Sequence, residues 1–322
     1  MPVLLASTQA PSTPLAPSLY ADTRILWLEA PDGSRVHRES REPGATGAAW
    51  FIMPGLRGLG MPETRIIEQG GLGFAGSWVR EVRVDARDVF VPIHLMADSH
   101  AAYNAALSEL MDFVDPTRWA PGADGTLKLV ATSTLGTREI QVMFVGGFEG
   151  VYGGTDSGGY WGTFGLTFRA PQPYWSARED TSRSFRLSAG SVFLSRSEAY
   201  PWPRSISPTT VIGDDMPVVV AGEIPVWPSI DIVAPGSGVT VETSTGMRVV
   251  VQEILAGQAT LATDPRRRRF TLNGESRWDL IGAGPQLRRL VPGANTVSVV
   301  MPGASGDSLV RVRWRELFRA AW

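Results

Sequence analysis

The chain has 322 residues, enough for two domains of ordinary size, and its 43% hydrophobic content is that of a globular protein. It contains no cysteine, which excludes disulfides, zinc thiolates and a thiol nucleophile. A net charge of −2 argues against a surface built to grasp nucleic acid, while 35 glycines, 24 prolines and 11 tryptophans predict many turns and wide aromatic packing.

Residues 1–23, dominated by Pro, Ser, Thr and Ala, predict an extended arm, because the short run "VLLA" lacks both the basic start and the length of a signal segment. No apolar run approaches the roughly 20 residues that span a bilayer, so no membrane insertion is expected. From residue 24 short alternating runs recur between turn residues. "TRILWLEA" runs into "PDGS", a hairpin signal because Asp-Gly accepts positive φ. "RIIEQG" is next, and "SWVREVRVDARDVFVPI" reads as one long strand in which Val82 and Val84 alternate with Arg83 and Asp85.

One helix is predicted, at "SHAAYNAALSELMDFVDP". Ser99 caps it, Tyr103, Ala106, Leu107, Leu110 and Val114 form one stripe, and Pro116 lies beyond its end. Strands resume at "TLKLVAT", "TREIQVMFVGGFEG" and "YWGTFGLTFRA". The stretch 177–215 is irregular and carries Pro201, Pro203 and Pro208, so a linker is expected there. Beyond it come "MPVVVAG", "WPSIDIVA", "GVTVETSTGMRVVVQEI", "QATLAT", "RRFTLNGESRWDLI", "NTVSVV" and "SLVRVRWREL", with turn signals at the regular spacing of a β-sandwich. The expected division is an arm at 1–23, a first domain at 24–176, a linker at 177–215 and a second domain at 216–322.

Four motifs invite chemistry. "GGTDSGGYWG" resembles a serine-nucleophile loop around Ser157. A serine peptidase needs a histidine base oriented by a carboxylate, and none of His37, His94 and His100 has such neighbours in sequence. Thr155 also stands where glycine would let the backbone N–H turn inward, so Ser157 reads as a turn residue. "GLGFAG" at 71–76 matches G-x-G-x-x-G, but a strand rather than a helix follows, and the pyrophosphate would lose its helix N-terminus. In "DPRRRRF" the run Arg266–Arg269 opens a strand in which Phe270 and Leu272 point inward and Asn273-Gly274 closes a hairpin. That reads as a solvated or interface-facing edge. The carboxylates Asp85, Asp88, Asp112, Asp115, Asp214 and Asp215 show no metal-ligand spacing, and the Asp214-Asp215 pair falls in the expected linker. No catalytic, cofactor-binding or metal-binding residue is expected. Of the 30 basic residues only Lys128 is lysine, a bias that reads first as codon composition, while guanidinium also suits persistent protein interfaces.

"MPGLRGLGMP", "VRVDARDVFVPI", "FVDPTRW", "DGTLKLVATSTLGTREIQVMFVGGFEG" and "FRAPQPYW", then "VWPSIDIVAPGSGVTVETSTGMRVVVQEILAGQATLATDP", "NGESRW", "LVPGANTVSV" and "VRVRWRELF", occur in an ordered series. That series resembles the distal tail protein family of long-tailed bacteriophages over nearly everything after residue 24. Ala221 and Glu223 depart from the asparagine and aspartate expected there, and the N-terminal arm is longer than usual. The resemblance implies a mainly β protein: an N-terminal β-sandwich or barrel-like ring domain with one α-helix, and a C-terminal galectin-like β-sandwich. It implies a structural, non-enzymatic component of the virion tail tip, assembled in the bacterial host cytoplasm and needing no cofactor. The implied partners are itself as a homohexameric ring, the tail tube protein, the tip or baseplate hub protein and the tape measure protein. DNA would leave through the ring's channel without being read. The inter-subunit residues are not assigned. Two rival readings are a carbohydrate-binding adhesin that stacks sugar on Trp278 or Trp314, and a glycan-cleaving enzyme on a β scaffold.

Overall fold

A computed structural model describes residues 25–37, 47–71, 73, 75–118, 126–149, 160–187, 211–252, 254 and 256–322. The first half is built from β1 (Ile25–Glu29), β2 (Arg35–His37), β3 (Ala48–Ile52), β4 (Thr64–Gly70), β5 (Ser77–Val84), β6 (Arg87–Ala97), α1 (His100–Val114), β7 (Leu127–Ser133), β8 (Gly136–Gly146), β9 (Trp161–Ala170) and β10 (Trp175–Ala177). Its main sheet runs β2-β1-β7-β8-β9-β6-β3, antiparallel throughout. The end strands β2 and β3 lie against one another, so the sheet nearly closes into a barrel. Period-2 alternation sends Val89, Val91, Ile93 and Leu95 of β6 inward, where they meet Leu127, Leu129 and Ala131 of β7 and the fully buried Trp175 of β10.

The β1–β2 hairpin turns as Asp-Gly predicts: Gly33 has φ +84°, its N–H donates to Ala30 O at 2.9 Å, and Asp32 Oδ1 accepts from the Ser34 N–H. Helix α1 begins where its cap predicts, with Ser99 Oγ accepting from the Ala102 N–H at 3.2 Å. Tyr103, Ala106, Leu110, Phe113 and Val114 are buried in the barrel core, and Leu107 packs at its margin.

"SWVREVRVDARDVFVPI" is two strands rather than one. Asp85 pairs with both Arg65 and Arg83 at the end of β5, and Arg87, only 3% exposed, begins β6. The Arg87 guanidinium donates to Gly58 O at 2.9 Å, Gly60 O at 2.7 Å and Arg319 O at 2.6 Å. Burial pulls its pKa down to about 10. Strand direction therefore changes between a surface ion cluster and a buried cation, with neither glycine nor proline to mark the break.

The second half contains β11 (Thr181–Arg186), β12 (Ile212–Val220), β13 (Ser229–Val233), β14 (Val239–Thr243), β15 (Arg248–Val251), β16 (Gln258–Ala262), β17 (Arg269–Leu272), β18 (Glu275–Ser276), β19 (Gly293–Met301), β20 (Leu309–Trp314) and β21 (Leu317–Phe318). A six-stranded sheet, β11-β20-β13-β16-β17-β18, faces a four-stranded one, β12-β19-β14-β15. Phe185, Ile232, Val241, Phe270, Val299 and Val312 share the core between them. The expected mainly β protein, with a helix in its first half and a sandwich in its second, is the fold observed.

Of the stretch 177–215 expected to be linker, residues 188–210 lie outside the described residues, while one strand and the start of another fall inside its described parts. Residues 181–186 pair along their whole length with β20, and residues 212–215, including Asp214 and Asp215, pair with β19. The prolines masked this: a strand needs only a handful of alternating residues, and "TSRSFR" offers a single large apolar side chain, Phe185. The chain passes from barrel to sandwich within residues 178–180, where Arg178 ties back to Glu29 at 2.8 Å and Asp180 ties forward to Arg315 at 2.7 Å.

The C-terminus returns to the barrel. Strand β21 pairs with β10, Arg138 lies 3.8 Å over the Phe318 ring and donates to Ala320 O, and the Ala321 N–H donates to Leu59 O. Ala321 is 1% exposed within the barrel core. Among the described residues the two halves are thus joined by two crossings of the chain.

Candidate assembly surface

Strands β4 and β5 form a two-stranded ribbon that pairs with no other strand among the described residues. Nearly every residue of the ribbon is exposed. Seven or eight residues at about 3.3 Å each make an arm roughly 25 Å long. Cross-strand pairing sets Thr64 opposite Val84 and Ile66 opposite Val82. Past an irregularity at Ile67/Glu68, Glu68 faces Val79 and Gln69 faces Trp78. Ile66, Val79 and Val82 therefore share one face, with exposures of 55%, 56% and 59%. The opposite face carries Arg65, Arg83 and Glu81, with Trp78 half exposed toward the tip. An isolated hairpin is marginal in water, and a row of exposed β-branched residues beside two free strand edges is a surface made to be covered.

A second apolar surface lies on the outer face of β3, β6 and β9. Register places Phe51 beside His94, His94 beside Thr163 and Met96 beside Trp161. The His94 ring stacks on Trp161 at 5.6 Å and tilts against Phe51 at 5.0 Å, and its Nδ1 lies 2.9 Å from Thr163 Oγ1. Burial lowers the His94 pKa. His94 and Trp161, with Met96, Ala97 and the half-exposed Tyr160, line a shallow hollow.

The chemistry-bearing motifs stay apart. Ser157, Thr155 and Asp156 lie outside the described residues, between the paired strands β8 and β9. His37 ends β2, His94 sits among aromatic rings, and His100 meets Asn104 at the start of α1. "GLGFAG", of which Leu72 and Phe74 lie outside the described residues, joins β4 to β5, so a strand both enters and leaves it. Asp85 and Asp88 pair with arginines, and Asp115 folds back on Thr117, whose backbone and hydroxyl hydrogen bonds lower its pKa. No group of three or more His, Asp or Glu side chains that could hold a metal occurs among the described residues. Trp314 is 2% exposed, with its indole N–H donating to Glu316 Oε1 at 2.7 Å. Trp278 is 37% exposed but carries the Arg268 guanidinium 4.6 Å over its ring. Trp314 is thus closed to a sugar, and one face of Trp278 is taken by a guanidinium.

Residues 221–318 match the family model of the siphovirus-type tail component, C-terminal domain. The match covers the sandwich from the residue after β12 to the end of β21. The crystal structure of SPP1 Dit (gp 19.1), described as a paradigm of the hub adsorption apparatus in phages infecting Gram-positive bacteria, resembles this chain with a TM-score of 0.59. The identity is 13%, and the likeness covers 91% of this chain and 99% of that one. A chain of the phage P2 baseplate in its activated conformation with Ca is similar at a TM-score of 0.50 and 9% identity, over 90% of this chain and 97% of that one. At such identities the shared property is the fold, which spans both halves. The resemblance to distal tail proteins read from the sequence is borne out by the family match over the sandwich and by the Dit fold over most of the chain. Comparison with curated protein sequences finds no match.

Proposed function

We propose that this chain is a structural component of a phage tail tip. Six copies close into a ring that joins the tail tube to the tip or baseplate hub, and DNA leaves through the ring's channel. The observation that carries the ring is the β4–β5 ribbon: an arm with an apolar face and two free edges, which no other strand among the described residues of the subunit covers. Head-to-tail contact, in which the arm of one copy lies on a different surface of the next, closes a ring without any symmetric pair contact. The aromatic face around Phe51, His94 and Trp161 is the receiving surface we assign, because it is apolar and open. The barrel then builds the ring and the sandwich projects from it, with the boundary at residues 178–180. The family match of the sandwich and the Dit-like fold support the tail assignment.

The test is a pair of substitutions on the arm's apolar face, Ile66→Asp with Val82→Asp. Both side chains are exposed, so the subunit should fold with an unchanged melting temperature, while sedimentation should show monomers where the parent forms rings. Rings that persist in the double variant would remove the arm from the contact.

A further inference from the structure

The arginine run Arg266–Arg269 lies in the turn between β16 and β17 and at the start of β17, at the junction of barrel and sandwich. Together with Arg315, Gln172, Trp227 and Leu317 it lines a cleft of about 740 Å³. The Arg266 guanidinium reaches across the junction to Gln172, so the cleft is floored by contacts from both halves.

Charge in the cleft is unbalanced. Arg266 pairs with Asp264 at 2.7 Å, and Arg315 with Asp180 at 2.7 Å and Glu139 at 3.3 Å. Among the described residues Arg267, Arg268 and Arg269 make no ion pair at contact distance, though Asp264 lies within the field of Arg267, and all three are exposed. Crowding guanidinium groups on one turn costs self-repulsion; Phe270 and Leu272 hold β17 in place, Arg266 is paired and Arg268 packs over Trp278, which leaves Arg267 and Arg269 as exposed charge. An anionic ligand relieves that cost.

The lining narrows the class of ligand. A neutral sugar is disfavoured, because it would leave the charge of the exposed Arg267 and Arg269 unpaired. A nucleic-acid track would need a long basic stripe, and the chain carries a net charge of −2. Asp264 also lines the cleft, where it repels a phosphate dianion more than a singly charged carboxylate. Trp227 and Leu317 add apolar wall between the cations. We propose that this cleft docks an acidic peptide segment of a partner protein, its carboxylates forked by Arg267 and Arg269 and its apolar side chains set against Trp227 and Leu317.

Binding of a fluorescent peptide of alternating Glu and Leu to the full chain, followed by anisotropy, tests this. Inorganic pyrophosphate serves as competitor, and Arg267→Ser/Arg269→Ser as the variant. Both side chains are exposed, so the variant should fold, and its melting curve checks that. The expected result is saturable binding, weakened about tenfold in the variant and by raising salt from about 50 to about 300 mM. An Arg311→Ser control on β20, outside the cleft, should bind as the parent does. Absence of binding, binding unchanged in the variant, or pyrophosphate binding without peptide binding would each overturn the proposal. Because the readout is peptide binding to a subunit in any oligomeric state, its failure is distinct from failure of the ring.

Discussion

Glu316 supplies the sharpest test of how the sandwich is tied off. Its carboxylate is 6% exposed and accepts two N–H groups, the Trp314 indole at Oε1 and the Gly222 backbone at Oε2, each at 2.7 Å. The first donor ends β20 and the second precedes β13, so one side chain fixes the end of one strand to the entry of another. Its own carbonyl accepts from the Ala177 N–H at 2.9 Å, which places the residue at the crossing between the two halves. Replacement by alanine strands both donors in the interior, at about 1 to 3 kcal/mol each, for a total near 4 kcal/mol. Glu316→Gln keeps the shape and one acceptor oxygen, turns an NH₂ toward one donor, and should cost about half as much. With an m-value of about 2 to 3 kcal/mol per molar in urea, the alanine variant should unfold about 1.5 M earlier than the parent and the glutamine variant between the two. Tryptophan fluorescence reads the transition, because Trp314 is buried. An alanine variant within 1 kcal/mol of the parent, or a glutamine variant as damaged as the alanine one, would refute the reasoning.

Gly58→Ala should destabilise the barrel by more than about 2 kcal/mol, because Gly58 has φ +82° and an added Cβ would press on the backbone at Asp88 and Val89; thermal unfolding checks this. His94 is held neutral by burial, so the stability it contributes is complete above its unfolded pKa near 6.5 and is lost as pH falls through its lower folded value. The melting temperature of the parent should therefore drop more between pH 7.5 and 5 than that of His94→Phe, and equal drops would contradict the burial argument. Ser157→Ala should leave assembly unchanged, and a fluorophosphonate probe for active serines should leave the parent unlabelled.

Local signals were legible wherever the chemistry that sets an element lies within a few residues. Ser99 and the stripe from Tyr103 to Val114 located α1, Asp32-Gly33 located the first hairpin, and even turn spacing located the sandwich. What stayed hidden depends on distant partners. The break between β5 and β6 is made by Asp85 reaching Arg65 and by Arg87 reaching carbonyls at residues 58, 60 and 319. Closure of the barrel by β2 against β3, and the return of residues 317–322 to it, rest on contacts with no nearby sequence mark. The same holds for β11, whose place in the six-stranded sheet is set by β20, over a hundred residues later. The assembly surface was half visible. Alternation of Val82 and Val84 with Arg83 and Asp85 showed that one face of β5 is charged, but only the ribbon's isolation from the barrel shows that its apolar face is exposed as well.

The ring is the central claim, and the mass of the purified full-length protein tests it most directly. Six copies of a 34.8 kDa chain give about 209 kDa, and electron micrographs of that species should show six-fold rings with an open centre. A species that stays at 34.8 kDa at every concentration, or stops at a two-fold dimer, would contradict it.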